Sequence, residues 1–247
     1  MTWFARPSTD PELDRRLRGH SGFTLSGDPT DKVLFARGGW NREIVVGQPG
    51  RQAVNGSLYG LPELADNNPL VCADLFSVPS PEATLALIGL GPLVRAGLIV
   101  EDPVVQLSFE PAHGDIGPAL AELGWQSDVV VHADPQELGS VLAAVCMAEI
   151  EAMADYSELD SLFEEAFGRS FFIRGVDALT WDVEHVRGWD NAVYTLRVSP
   201  FEDRALVTVL VMADKNGKCG AGQIVHTMNV MCGFEECLGL SVPTAAD

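Results

Sequence analysis

The sequence is poor in basic residues, and this scarcity excludes several classes of partner. Lysine and arginine together number 16 among 247 residues, against 35 aspartates and glutamates, so the formal net charge is −19. Nucleic-acid binding depends on clustered cations that neutralise phosphates. Attraction to an anionic membrane surface has the same requirement. We therefore expect neither a nucleic acid nor a membrane as a partner.

Cysteines are few, and long apolar runs are missing. The five cysteines include no Cys-x-x-Cys pair, so the sequence indicates neither a disulfide framework nor a zinc site, and no metal is predicted. The longest apolar run, residues 83–94, is too short to cross a bilayer and indicates a buried helix. Residues 1–20 show no secretory signal. A reducing, cytoplasmic location is the expectation that follows.

The most distinctive stretch covers residues 214–240. Gly217, Gly220 and Gly222 form a flexible turn, and Gln223 opens a helix that Gly233 is expected to end. A turn of small residues before a helix N-terminus can hold an anion or a phosphate. Glycines in this position are more often ordinary loop residues, so both interpretations stay open.

The rest of the chain predicts a mixture of helices and strands. Helices are expected at 11–18, 84–100, 136–154 and 157–167, and strands at 23–25, 32–36, 43–46, 104–107, 127–131, 171–174, 191–199 and 205–213. Asp134 followed by Pro135 has the pattern of a helix N-cap and first position. No Gly-x-Gly-x-x-Gly follows a strand and opens a helix in residues 1–58.

Two segments resemble a known enzyme family. The closing motif of the N-acetyl-gamma-glutamyl-phosphate reductases reads roughly K-G-A-x-G-Q-A-x-x-N-M-N-x-M-x-G. It is similar to this chain at Lys218, Gly222, Gln223, Met228, Asn229, Met231 and Gly233. Residues 59–64, Tyr-Gly-Leu-Pro-Glu-Leu, match a second family motif almost letter for letter. Weaker matches at 84–99, 171–174 and 186–188 follow in collinear order.

The resemblance implies an α/β fold. It combines a truncated Rossmann-like remnant with an α+β domain of the semialdehyde-dehydrogenase type that contains a mixed sheet. Residues 1–75 would be the remnant of the dinucleotide-binding domain, completed by the C-terminal helix within 218–240. Residues 76–213 would be the catalytic-type and dimerisation domain. The family's sheets usually build a dimer interface, so a homo-oligomer, or a hetero-oligomer with a related reductase, is expected.

The chain departs from the family at its nucleophile. Family members read A-N-P-G-C-Y-P-T-A, and the cysteine thiolate attacks the acyl phosphate. Aligning residues 73–84 puts Ser77 at the cysteine position and Ser80 at the threonine position. Cys72 is expected to be a core residue rather than a displaced nucleophile.

The family's paired histidine motif is also incomplete. His132 is the one histidine that remains, and it either serves as a base or ends a strand. Asp134 stands near the second histidine position, where a capping role is favoured over catalysis. His185 and Arg187 lie in a turn that approaches the substrate in the family and are candidates for binding a carboxylate. Exposed hairpin charges explain that pair equally well.

Three functions are compatible with these features. We favour a pseudoenzyme in amino-acid-related metabolism, a relative of the arginine or lysine pathways. It would be a ligand-binding or partner subunit with a small amino-acid-derived ligand and no cofactor, and Lys218, Gly222 and Gln223 would form a retained anion pocket. The second is a non-redox enzyme on an amino-acid-derived acyl or semialdehyde compound, with Ser77 or Ser80 as nucleophile and His132 as base. The third is acyl-phosphate reduction with NADP as cofactor.

Overall fold

A computed structural model describes residues 2–50, 57–65 and 67–243. In these ranges the chain forms twelve strands and six α-helices, and the strands are arranged in two mixed sheets of six. The predicted α/β class is confirmed. Within the described ranges, no helix combines the length and apolarity that crossing a bilayer requires.

The first sheet uses the N-terminal strands. They are β1 (Trp3–Ala5), β2 (Phe23–Leu25), β3 (Val33–Arg37), β4 (Trp40–Val46), β5 (Ser57–Tyr59) and β6 (Leu75–Val78), in the spatial order β2-β1-β3-β4-β6-β5. Strands β1 and β2 are parallel and are connected through helix α1 (Pro11–Gly19). Strands β3 and β4 form an antiparallel hairpin whose turn residues, Gly38 and Gly39, have φ of 60° and 86°. A two-residue hairpin turn of type I′ has positive φ at both positions.

The C-terminal helix packs on this N-terminal sheet. The shared core joins Phe35, Ile44 and Phe76 from the strands to Val225 and Met228 of helix α6 (Ala221–Cys232). Helix α1 and the short helix α2 (Asn67–Cys72) also contact α6. Helix α6 ends as predicted, since Gly233 has a left-handed φ of 70°. The packing agrees with a C-terminal segment that completes the N-terminal unit, while the domain boundaries themselves stay a prediction.

The second sheet contains the longer strands. They are β7 (Val104–Leu107), β8 (Val130–Ala133), β9 (Val141–Glu151), β10 (Ile173–Gly175), β11 (Ala192–Phe201) and β12 (Arg204–Asp214), in the order β10-β11-β12-β9-β7-β8. Helices α3 (Pro81–Arg95), α4 (Ile116–Ala121) and α5 (Ser157–Phe167) share a core with one face of this sheet. Helix α3 is almost entirely apolar because nearly every side of it is buried.

The helix predicted at 136–154 is wrong, because this segment contains strand β9. Its residues 141–148 are uninterrupted apolar side chains, a pattern that a buried strand shares with a buried helix. β9 lies between β12 and β7, so Cys146 and Ile150 enter the core while Val145 and Met147 on the other face are half-buried. The helix start predicted at Asp134 and Pro135 is wrong for the same reason.

Three smaller predictions also need correction. Strand β8 covers Val130–Ala133 rather than 127–131, and helix α4 was not predicted. Cys72 is exposed at the end of α2 and is not a core residue.

Candidate functional site

The two segments that carry the resemblance most strongly meet in the structure. Glu63 lies in the 3₁₀ turn Pro62–Leu64 that follows β5, and its Oε1 is 2.5 Å from Nζ of Lys218. The two side chains are only 4% and 1% exposed. Nζ of Lys218 also lies 5.5 Å from the ring centroid of Phe172. This buried ion pair connects the turn after β5 to the turn before α6.

His226 extends the pair into a cluster of titratable side chains, the Glu63 cluster: Glu63, Lys218, His226 and Glu236. His226 Nε2 is 3.1 Å from Oε2 of Glu236, and its Nδ1 is 3.7 Å from Oε1 of Glu63. The imidazole packs on Phe172 with ring centroids 4.0 Å apart. His226 thus joins the deeply buried Glu63 to Glu236, whose side chain is 44% exposed.

The charge states of the cluster follow from burial and from these contacts. Burial alone would raise the pKa of Glu63, but Lys218 and His226 outweigh it, so that this pKa lies below its usual value. Burial lowers the pKa of His226, although Glu236 and Glu63 oppose that shift. Burial lowers the pKa of Lys218 as well, but its 2.5 Å contact with Glu63 opposes that shift, so at neutral pH we expect a charged pair beside a neutral imidazole.

Some buried polar atoms near this cluster have no hydrogen-bond partner among the described residues. They include Oε2 of Glu63, Nδ1 of His226 and both side-chain amide atoms of Gln223. Buried polar atoms in folded proteins are nearly always paired. The cluster is therefore incompletely hydrogen-bonded within the described residues.

The glycine turn before α6 uses its amides internally. The N–H groups of Gly222 and Gln223 donate to the carbonyls of Asn216 and Gly217, both at 3.0 Å. Gly222 packs so closely on Asp190 that a Cβ would overlap with Oδ1 of that carboxylate. The observed contacts of Lys218, Gly222 and Gln223 are thus within the chain, and their role in holding an anion stays a prediction.

The two candidate serines are fully buried. Ser77 lies in β6, and its Oγ accepts a hydrogen bond from the N–H of Gln48 at 3.0 Å. Ser80 is the N-cap of α3: its Oγ accepts from the N–H of Ala83 at 3.2 Å and donates to Asp115. Asp115 also accepts a hydrogen bond from the hydroxyl of Tyr59 at 2.8 Å. The structure brings Ser80 next to a carboxylate rather than next to a histidine.

The remaining candidates lie on other elements. His132 is exposed in β8, an edge strand of the second sheet, and within the described ranges no hydrogen bond joins it to either serine. His185 ends the 3₁₀ turn Val183–His185 and is half-buried. Arg187 is exposed and forms an ion pair with Glu184. The catalytic and carboxylate-binding roles of these residues stay predictions.

Three cysteines are unsuited to act as thiolates. Cys146, Cys219 and Cys232 are buried, and burial raises the pKa of all three, to about 12 for Cys146 and Cys232. A thiol is a nucleophile in its deprotonated form. These three residues therefore do not replace the cysteine that Ser77 stands for.

Sequence reasoning missed Glu63, His226 and Glu236. Glu63 was noted only as part of a matched motif, and His226 falls in a predicted helix that shows mainly apolar positions. One signal was present: the two matched motifs carry side chains of opposite charge, Glu63 and Lys218. A buried lysine needs such a partner.

The fold and this site together define a class of protein. Two mixed sheets, one Rossmann-like and one of the α+β semialdehyde-dehydrogenase type, are joined by a buried ion pair between two segments that resemble family motifs. No family model matches the chain.

Several curated proteins are similar to the chain in sequence. The chain is 27% identical over 215 residues to N-acetyl-gamma-glutamyl-phosphate reductase of Archaeoglobus fulgidus, which covers 76% of this chain and 63% of that protein. It is 25% identical over 250 residues to the reductase of that name from Bacillus cereus, covering 87% and 70%. For Desulfotalea psychrophila the identity is 24% over 225 residues, covering 78% and 64%. The chain is a distant relative of these reductases. It spans less than two thirds of the length of the Archaeoglobus fulgidus and Desulfotalea psychrophila proteins.

Proposed function

We propose that this chain is a reductase-like protein without NADP-dependent redox activity. It acts in the cytoplasm as a ligand-binding or partner subunit in amino-acid-related metabolism. The similarity to the reductases supports the family relationship and the general metabolic context. The loss of redox chemistry is argued from the chain's own residues.

The observation that carries the proposal is the turn between β1 and α1. A strand-to-helix turn that holds a pyrophosphate is rich in glycine and offers the free amides of its helix N-terminus. Here Asp10 caps α1, and its carboxylate accepts a hydrogen bond from the N–H of Leu13 at 2.7 Å. Pro11 supplies no N–H, while Glu12 and Asp14 add negative charge in the first turn. These residues do not fit a pyrophosphate.

The position of the nucleophile supports the same proposal. Ser77 is fully buried with its hydroxyl bonded to the backbone of Gln48, and the neighbouring Phe76 is 0% exposed. A buried hydroxyl with no adjacent base does not replace a thiolate in acyl transfer. In the described residues, no contact of Ser77, Ser80 or His132 favours the alternative non-redox enzyme.

A partner role is supported by the second sheet. On the face of β9 and β12 opposite the helices, Val145, Met147, Leu206 and Leu210 are half-buried. An apolar sheet face of this kind is suited to protein association. We propose a second copy of this chain, or a related reductase, as the partner.

Cofactor binding tests the proposal directly. We expect no rise in the melting temperature of the purified chain with saturating NADPH or NADP. The Bacillus cereus relative, treated in parallel, serves as the positive control. A ligand at about one hundred times its Kd stabilises a protein by about 2.7 kcal/mol, which such a measurement resolves. Clear stabilisation of this chain, or NADP-dependent turnover of N-acetylglutamate semialdehyde with phosphate, contradicts the proposal.

A further inference from the structure

A cavity lies beside the Glu63 cluster. It has a volume of about 290 Å³ and is bordered by Glu63 after β5, by Arg169 and Ser170 after α5, and by Glu236 after α6. This is near the lower end of small-molecule pockets. The cavity therefore suits a ligand the size of a free amino acid rather than a nucleotide.

Glu63 is the most deeply buried charged residue that borders the cavity. Oε1 of Glu63 is bonded to Lys218 at 2.5 Å and lies 3.5 Å from the hydroxyl of Ser170, whereas Oε2 has no partner among the described residues. The Glu63 side chain is only 4% exposed. Glu236 borders the same cavity and adds a second carboxylate. A ligand ammonium group at this end would meet two acceptors.

Arg169 provides a cation at the border of the cavity. Arg169 is exposed at the cavity and, within the described ranges, forms no ion pair. A guanidinium binds a carboxylate through two parallel hydrogen bonds. The cavity is thus bordered by two carboxylates and by a guanidinium that has no ion pair among the described residues.

We propose that this cavity binds a zwitterionic amino acid. Its ammonium group lies at Glu63 and Glu236, and its carboxylate at Arg169. This proposal rests on the proposed ligand-binding function and names the class of ligand. A carboxylic acid without an amino group would bring negative charge to the two glutamates without adding a donor, and an amine without a carboxylate would give Arg169 no partner. Binding therefore requires both groups on one small molecule.

A neighbouring cavity supplies a matched control. It has a volume of about 410 Å³, shares Glu63 with the first cavity, and is bordered by Arg95 and Glu165. Arg95 is also exposed. Arg169→Gln and Arg95→Gln are the same chemical change on either side of Glu63, and neither alters the buried pair.

The experiment measures binding of L-norvaline, L-glutamate and L-ornithine to the full chain by calorimetry and thermal shift, without NADPH. We expect at least one of the three to bind. For L-norvaline the comparison compounds are pentanoate, which lacks the ammonium, and butylamine, which lacks the carboxylate. Neither should bind measurably. Arg169→Gln should weaken binding of the amino acid at least about tenfold, since a hydrogen bond to a charged group is lost. Arg95→Gln should leave it unchanged.

Three outcomes overturn the proposal. The first is that none of the three amino acids binds at millimolar concentration. The second is that pentanoate or butylamine binds as well as L-norvaline. The third is that Arg95→Gln abolishes binding while Arg169→Gln preserves it, which would place the ligand in the neighbouring cavity. Stabilisation by NADPH would contradict the proposed function. The amino-acid binding results would still decide the ligand proposal by themselves.

Discussion

Burial makes each member of the Glu63–Lys218 pair depend on the other. Replacing Lys218 with methionine keeps most of the side-chain volume but leaves the Glu63 carboxylate buried without its cation. Such a change costs about 3–5 kcal/mol. We expect Lys218→Met to lower the free energy of unfolding, measured with urea, by an amount in that range.

An exposed ion pair provides the control for Lys218→Met. Arg187 and Glu184 are also paired, but their side chains are 46% and 63% exposed. Exposed pairs contribute about 1 kcal/mol or less, so Arg187→Met should change stability little. The double variant Glu63→Leu/Lys218→Met should lose less than the sum of the two single variants. Equal, small losses for Lys218→Met and Arg187→Met would show that the buried pair is not structurally important.

The lowered pKa of His226 predicts how the stability of the fold changes as the pH falls. Burial lowers this pKa in the folded state, so the unfolded chain takes up the proton first as the pH falls through about 6.5. Stability from the neutral imidazole is therefore present above that pH and is lost below it. Unfolding measured across this range should show a smaller loss for His226→Gln than for the unaltered chain.

A second buried histidine, His20, limits how much of the pH dependence of stability the His226→Gln variant can remove. Its pKa is also lowered by burial, although Asn229 opposes the shift through a 2.9 Å contact. The His226→Gln variant should therefore keep part of the pH dependence. If the two curves have the same slope, His226 does not titrate as the structure indicates.

The residues of the site were predictable only in part. Lys218 was singled out because it lies in a motif, and its anion-binding role stays a prediction; Glu63 also lies in a motif, but only the fold shows that it is the buried partner of Lys218. Glu63 and Lys218 are separated by more than half of the chain, and no local pattern links them. A side chain that acts through long-range pairing carries little signal in its own sequence neighbourhood.

At the scale of elements, close packing in the turn before α6 explains why residue 222 is a glycine. Gly222 does not need a left-handed conformation, but a Cβ would overlap with the Asp190 carboxylate and lie 2.7 Å from the carbonyl oxygen of Gly217. Overpacking of this kind costs about 1–3 kcal/mol. We expect Gly222→Ala to destabilise the chain by that amount in urea unfolding.

Gly117 in α4 is the matched control. A Cβ there has open space around it, and its φ is not positive. Alanine at such a helical position stabilises by about 0.4–1 kcal/mol. If Gly222→Ala were as well tolerated as Gly117→Ala, the turn would be looser than the structure shows.

Elements were predicted well where their pattern was unambiguous. Helix α5 and the strands β3, β4, β11 and β12 each have a clear period or a turn signal beside them and were predicted. Strand β9 was mistaken for a helix because its segment 141–148 is apolar throughout and contains alanines, which favour helices. Its pairing with β12 over eleven residue pairs is a long-range interaction that overrides this local preference.

At the scale of the whole molecule, the two sheets differ in how their faces are covered. Helices α3, α4 and α5 share a core with one face of the second sheet. On the other face, Leu210 lies opposite Val145, and Thr208 lies opposite Met147, in the β12–β9 register. Residues of the 176–186 segment pack near Met212 at one end of this face. The apolar centre of the face is left half-buried, which is why we propose a partner there.

Association through this face predicts a charge-sensitive oligomer. Leu206→Lys and Leu210→Lys place two cations on this face, one opposite Glu149 and one opposite Val145, where an interface would have to desolvate them. We expect the unaltered chain to sediment as a dimer and the double variant as a monomer. Leu179→Lys, at a side chain that is 94% exposed, should leave the dimer intact. A monomeric unaltered chain would leave a related reductase as the proposed partner, and co-purification with that reductase should then depend on the same two leucines. If neither association depends on them, this face is not the interface.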